Sequence, residues 1–217
     1  MSSKEGQILH FSALLSKDYA LKISPAGVEY GYRFISTNAV TSLAWGVVIT
    51  EGGWTNKHTF YVTINFYEFP ESIMVLWEYN GLILNIAKQL YNKNEAKGKA
   101  VCDLPLDDQK RCFQQVVEAL YRDIAPTLVT KLVDRLKHGT TFAIGKCTLS
   151  SRGVDFQSGR FFKENHAIPW TDLDTRLEKG AVILFQQSKR ATSVSLSAVS
   201  THNAVLLPAL CQCMKNA

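Results

Sequence analysis

The sequence lacks any apolar run long enough to span a bilayer. Residues 1–7 contain no apolar segment of the kind a secretory signal needs. Cysteine is scarce: five residues, at 102, 112, 147, 211 and 213, odd in number and scattered. That pattern excludes a disulfide framework and leads us to expect a reducing, cytoplasmic setting. Glycine-rich phosphate loops, a nucleophile elbow and paired-carboxylate signatures are all missing. The histidines, at 10, 58, 138, 166 and 202, follow no metal spacing. Cys211-Gln212-Cys213 offers two thiolates, but structural zinc wants four ligands in paired clusters. Those cysteines read as small helix-packing residues, and Cys147 as a strand residue with no activating neighbour. The expectation is therefore no metal, no cofactor and no enzymatic activity. The alternative is an active site assembled from separate parts of the chain.

What is present suits an ordinary globular protein of 217 residues, long enough for one or two domains. The formal net charge is +5. Residues 1–92 hold six Lys/Arg against seven Asp/Glu, residues 93–139 nine against seven, and residues 140–217 nine against five. The basic excess thus sits in the last third, where it reads as a solvated face or as weak attraction to an anionic surface.

Alternation of apolar and polar residues predicts strands over Tyr19–Ser24, Val28–Ile35, Leu43–Thr50, Thr59–Tyr67 and Ser72–Glu78. Leu43–Thr50, mostly apolar, reads as a central strand. Ile8–Leu15 is a short apolar run, either a strand or a helical turn. Pro25-Ala26-Gly27 and Glu51-Gly52-Gly53 read as turns. After Asn80, a candidate N-cap, Leu82, Ile83, Ile86, Ala87 and Leu90 recur at helical spacing. Residues 93–100 read as a linker. Asp107 or Asp108 is expected to cap a further helix, with an apolar stripe from Phe113 to Leu136, interrupted at Pro126 and ended by Gly139. That stripe predicts a helix packed on a sheet, and His138 is expected to complement its C-terminus. A meander of short strands then runs from Phe142 to Leu173. Gly180–Gln186 and Ala191–Val199 are strands about a basic tip, Ser188-Lys189-Arg190. His202-Asn203 leads into a closing helix with Pro208 in its first turn.

The chain reads as two copies. Residues 21–30 match residues 147–156 as aliphatic, Ser, Gly, Val, acid, aromatic, pairing Gly27 with Gly153. Trp45–Ile49 is similar to Gly180–Leu184. Asn80 and Asn203 each close the last strand of a copy. The second copy resembles the pleckstrin-homology-like (PH-like) domains of unknown function found in bacteria. Residues 148–154, Ile168-Pro169-Trp170-Thr171-Asp172-Leu173 and Asn203 carry the resemblance. It implies a core-packed Trp170 and a carboxylate, Asp172, at a strand bend. The first copy has Ile35-Ser36-Thr37-Asn38-Ala39-Val40 there, with neither tryptophan nor acid.

The fold expected from this resemblance is α+β: two PH-like antiparallel barrels or sheets, each capped by a C-terminal helix. Residues 1–92 form the first domain, 93–139 a linker and helical segment, and 140–217 the second domain. Phosphoinositide-binding members carry spaced bases on the first hairpin. Lys22 and Arg33, or Lys146 and Arg160, fit the outer positions, while Gly31 and Ser158 fail the middle one. A specific phosphate pocket is therefore not expected. A basic rim of Lys146, Arg160, Lys163, Lys189 and Arg190 is the candidate binding feature. Phe156, Phe161 and Phe162 near Arg160 are read as core rather than as nucleic-acid stacking residues, so no specific nucleic acid is expected. The leading function is a protein-interaction or scaffold module that docks another protein. The alternative is peripheral binding of anionic lipid, at the inner face of the membrane, through basic loops of the second domain.

Overall fold

The computed structural model describes residues 8–9, 21–30, 33–52, 55–67, 73–80, 105–159 and 163–216. Arg160, Phe161, Phe162, the helix expected over 82–90 and the linker over 93–100 lie outside them. The fold is α+β. Among the described residues the strands form four small antiparallel sheets, two of four strands and two of three, and none closes into a barrel. Two compact units emerge: Met1–Val40 with Gly46–Ile124, and Thr41–Trp45 with Ala125–Ala217.

In the first unit, β1 (Ile8–Leu9), β2 (Leu21–Ser24), β3 (Gly27–Tyr30) and β4 (Arg33–Ser36) form a meander in sequence order. The segment Val28–Ile35, expected as one strand, is two strands of a tight hairpin in which Tyr30 faces Arg33. A 3₁₀ turn, Thr37–Ala39, leads into β5 (Val40–Gly52), of which Thr41–Trp45 belong to the second unit, and then β6 (Thr55–Phe66) and β7 (Ile73–Asn80). β6, not the apolar β5, is the central strand of this sheet. β5 also runs through Gly52, where a turn was expected. Asn80 ends β7.

Helix α1 (Leu106–Ala119) begins at Pro105, which takes the N-cap position in extended conformation. Asp107 and Asp108 therefore do not cap. They sit in the first turn, where their charge meets the exposed amides, and reach Lys110 and Arg111 one turn on. Val116, Ala119, Leu120 and Ile124 are buried, and Phe113 lies 5.5 Å from Phe60 of β6. The helix thus packs on the sheets, as its stripe predicts. Leu120–Ile124 widens into a π turn just before Pro126. Proline has no N–H, and its ring crowds the carbonyl four residues back, so the wider turn absorbs the mismatch.

In the second unit, α2 (Ala125–Lys137) ends in a glycine cap. Gly139 has φ 78°, its N–H bonds to Leu136 O, and Thr140 N–H bonds back to Arg135 O. His138 Nδ1 lies 2.7 Å from the Asp134 carbonyl, so that nitrogen carries the proton and the ring serves the helix end as expected. β8 (Phe142–Ile144), β9 (Cys147–Leu149), β10 (Gly153–Ser158) and β11 (Glu164–Pro169) form the four-stranded meander. A 3₁₀ turn, Trp170–Asp172, leads into β12 (Leu173–Glu178), β13 (Ala181–Gln186) and β14 (Ser193–Ser197). A short 3₁₀ turn, Ala204–Leu206, and helix α3 (Leu207–Lys215), with Pro208 in its first turn, close the chain.

Both units therefore run four strands, a 3₁₀ corner and three strands. Trp45–Ile49 lies on the fifth strand, but 180–184 belongs to the sixth strand of its unit. That expected match is displaced by one strand, an error that apolar strands of similar composition invite.

Trp170 is buried at 4% exposure, and its Nε1–H donates to Ser150 O at 2.9 Å. Trp170→Ala should cost about 3–5 kcal/mol. Denaturant unfolding measures it, and a loss below about 1 kcal/mol would contradict the buried role.

Candidate functional site

The corner between the two sheets of each unit is built from few residues. Gly27 and Gly153 start β3 and β10, where a backbone carbonyl passes too close for a side chain. An added Cβ would lie 2.1 Å from Ile35 O in one unit and 2.1 Å from Ile168 O in the other. Ser24 and Ser150 each reach the carbonyl of that glycine at 3.3 Å. At the 3₁₀ turn the units differ chemically but not mechanically. In the second, the Trp170 indole donates to the preceding hairpin turn at Ser150 O. In the first, buried Thr37 donates to that turn twice, Oγ1 to Pro25 O at 2.8 Å and N–H to Ala26 O at 3.0 Å. A backbone bond then ties the end of the turn to the residue after the sixth strand: Tyr67 N–H to Ala39 O at 3.1 Å, and Gln187 N–H to Asp172 O at 2.7 Å.

Asp172 adds a side-chain function that Ala39 lacks. Its carboxylate accepts from the Ser188 hydroxyl at 2.5 Å, the Ser188 N–H at 2.9 Å and the Gln186 amide at 2.7 Å. These bonds, the Ser188 hydroxyl first, hold its pKa below the usual carboxylate value. Asp172 thus fixes the loop that carries Lys189 and Arg190.

Asn203 does not cap the helix that follows it. It sits in the left-handed region at φ 64° with no capping bond, and its side chain serves Thr41–Leu43 instead. Leu43 N–H donates to Asn203 Oδ1 at 3.0 Å, Asn203 Nδ2 reaches Thr41 O at 3.4 Å, and Asn203 N–H donates to Leu43 O at 2.7 Å. His202 Nδ1 lies 3.1 Å from the Ser42 hydroxyl.

Among the described residues, two of the basic residues named from sequence, Lys146 and Arg190, border different depressions. Lys146, on the β8–β9 turn, borders a depression of about 510 Å³ with Thr148, Asp155, Gln157, Asn165 and Ala167 on the outer face of the four-stranded sheet. Lys163 is exposed before β11. Arg190 borders a different depression of about 210 Å³, with Arg176, Ile183, Phe185 and Ser193 on the outer face of β12–β14. Lys189 is exposed on the same loop as Arg190. Lys22, an outer phosphate position, pairs with Glu29 at 3.0 Å. Sequence reasoning missed Arg176. The register supplies the reason to notice it: Arg176 faces Ile183, which faces Ser195, while Phe185 faces Ser193. A row of half-buried Ala181, Ile183 and Phe185 therefore lies between Glu178, Arg176 and Asp174 of β12 and the exposed Ser197, Ser195 and Ser193 of β14. The Arg176 guanidinium stands 5.8 Å from the Phe185 ring centre and 3.2 Å from Glu178.

The buried thiols Cys147 and Cys211 are not poised for chemistry. Burial pushes Cys147 up to about 11 and also raises Cys211. Cys211 packs as expected, 3.6 Å from Leu173 O, whereas Cys213 is exposed. Ser158 Oγ lies 2.6 Å from His166 Nε2, and Glu164 approaches that same nitrogen at 3.9 Å. A serine–histidine–acid relay needs the acid on the opposite ring nitrogen, so this trio is not one. Phe156 is buried, as read. Among the described residues no helix is long and apolar enough to cross a membrane. Comparison with protein families, curated proteins and solved structures finds no match.

Two measurements check these local roles. Asn203→Ala should cost about 1–3 kcal/mol, because a buried N–H at Leu43 loses its acceptor. Asn203→Gly, which accepts the left-handed backbone, should remain destabilised, and full recovery in glycine would assign the effect to backbone strain alone. Because Asp172 has a depressed pKa in the folded state, its contribution is present above the ordinary aspartate value of about 3.9 and fades as pH falls through the lower folded value. Asp172→Asn should therefore flatten the acid limb of the stability–pH curve and speed exchange of the Ser188 amide. An unchanged curve would remove Asp172 from that role.

Proposed function

We propose that the units are PH-like domains and that the chain is a non-enzymatic protein-interaction or scaffold module. Four strands, a short corner and three strands recur in both units, and a helix follows the last strand of the second. That order supports the PH-like reading. The observation that carries the interaction reading is the outer face of β12–β14, where an apolar row lies between the charged residues Asp174, Arg176 and Glu178 on one side and serines on the other. Apolar surface rimmed by polar groups is the composition of protein-docking faces.

Peripheral binding of anionic lipid draws weaker support. A flat anionic surface rewards bases that face it together, each worth about 1 kcal/mol. Lys146 and Arg190 border different depressions, on different sheets.

Capture from the native extract, followed by reassembly with the purified partner, should give a stoichiometric complex at physiological salt. Flotation with phosphatidylserine vesicles runs beside it. The interaction reading fails if the wild type floats at low salt, loses flotation when Arg160, Lys163, Lys189 and Arg190 all become Ser, and yields no reassembled complex.

A further inference from the structure

We propose that the outer face of β12–β14 pairs weakly with the same face of a second copy of the chain, about a two-fold axis that crosses the strands between Asp174 and Arg176. This rests on the reading of that face as an interaction surface and names what covers it.

The strand register carries the argument. It sorts the face into three rows that cross the strands. Asp174, Phe185 and Ser193 form the first, Arg176, Ile183 and Ser195 the second, and Glu178, Ala181 and Ser197 the third. Charge alternates from row to row along β12. Asp174 accepts from Thr175 N–H at 2.8 Å and from the Gln187 amide at 3.3 Å. The backbone bond first, then the amide, with Lys215 and Arg190 adding, holds it below the usual carboxylate range, so it stays charged. Arg176 meets Glu178 at 3.2 Å in an exposed pair. Acid and base thus stand side by side, and the face favours neither an acidic nor a basic partner. What matches it is a surface with the same charges in reversed order.

A second copy supplies that surface. The proposed axis turns the first row of one copy over the second row of the other. Asp174 then faces Arg176 twice, Phe185 faces Ile183 twice, and Ser193 faces Ser195. An axis between the second and third rows also opposes Arg176 and Glu178, but it sets Ile183 over Ala181 and leaves Phe185 outside. An axis along the strands sets β12 over β14, so Arg176 meets Ser195 and no charges pair. The depression bordered by Arg176, Ile183, Phe185 and Ser193 lies across the first two rows. At about 210 Å³ it is below the usual small-molecule site of about 300–1,000 Å³, and it takes the ring of Phe185 from the second copy. Size sets the strength. Three strands about 4.8 Å apart and five residues long give a footprint of about 250 Å² a side. A standard interface buries about 800 Å² per partner, so this association is weak and depends on concentration.

Sedimentation velocity of the full chain from about 1 µM to about 1 mM tests it. The wild type should pass from monomer towards dimer, less readily as salt rises. R176E sets a glutamate against Asp174, and D174R sets an arginine against Arg176, so each alone should weaken self-association about tenfold or more. An equimolar mixture of the two should dimerise again, because each copy then carries the complement of the other. D174R/R176E, which exchanges the charges within one chain, should dimerise like the wild type. Phe185→Ser should weaken association with all charges intact, while Lys146→Ser, on the other sheet, should change it less than about twofold. Thermal unfolding identifies any variant that fails to fold, and if a single charge variant does, Phe185→Ser and D174R/R176E decide. A wild type that stays monomeric throughout, a dimer indifferent to R176E, or a mixture of folded variants no better than its components would overturn the proposal. If the wild type stays monomeric but a captured partner of different sequence forms a complex that Phe185→Ser weakens, the proposal falls and the interaction reading stands. If neither a dimer nor a partner complex forms, both fall.

Discussion

The close passage of a backbone carbonyl over a glycine sets the shape of each unit. Gly27 and Gly153 leave room for a carbonyl where any side chain would collide with it. That approach lets the fourth strand lie tightly against the third and deliver the chain into a 3₁₀ corner. The corner then has one task, to send the chain into the second sheet at a fixed place. Thr37 performs it with a hydroxyl and an amide, Trp170 with an indole N–H and a large buried ring. Beyond the corner, the backbone bonds from Tyr67 and Gln187 register the sixth strand against it. Everything later in each unit inherits that placement.

The candidate site follows from the same frame. Asp172 is at once the last residue of a corner and the anchor of the loop bearing Lys189 and Arg190. A carboxylate with three donors holds that loop where Arg190 borders the groove. β12 supplies the second arginine by register: the alternation that buries Leu173 puts Arg176 on the opposite face, beside Ile183. Electrostatics and packing are thus set by one strand that leaves the corner and one loop that Asp172 ties back to it.

Much of this was legible in the sequence, and the failures have physical reasons. The Gly-Val-acid-aromatic signature marks the glycine approach because only glycine fits there. The burial of Trp170, the end of α2 at Gly139 and the strands from Phe142 onward follow from size, backbone freedom and period two. Val28–Ile35 was misread because Tyr30 and Arg33 continue the alternation across a hairpin. β5 was misplaced as central because apolar content does not separate an edge strand from an inner one. The cap at Pro105 was missed because proline acts there through its fixed backbone and not through a side chain. The grouping of Arg176 with Arg190 was invisible because Arg190 lies on a loop, whose placement no alternation of residues reveals. Thr37 gave no signal at all, since a small hydroxyl doing a tryptophan's work looks like any other threonine.

Asn203 can be read as a set of filters on the amino-acid alphabet. A left-handed backbone admits glycine, asparagine and aspartate with ease. An acceptor for the Leu43 N–H removes glycine. A donor toward the Thr41 carbonyl removes aspartate. One letter passes all three. A substitution at this one position therefore disturbs two stretches at once, the turn before α3 and the start of β5.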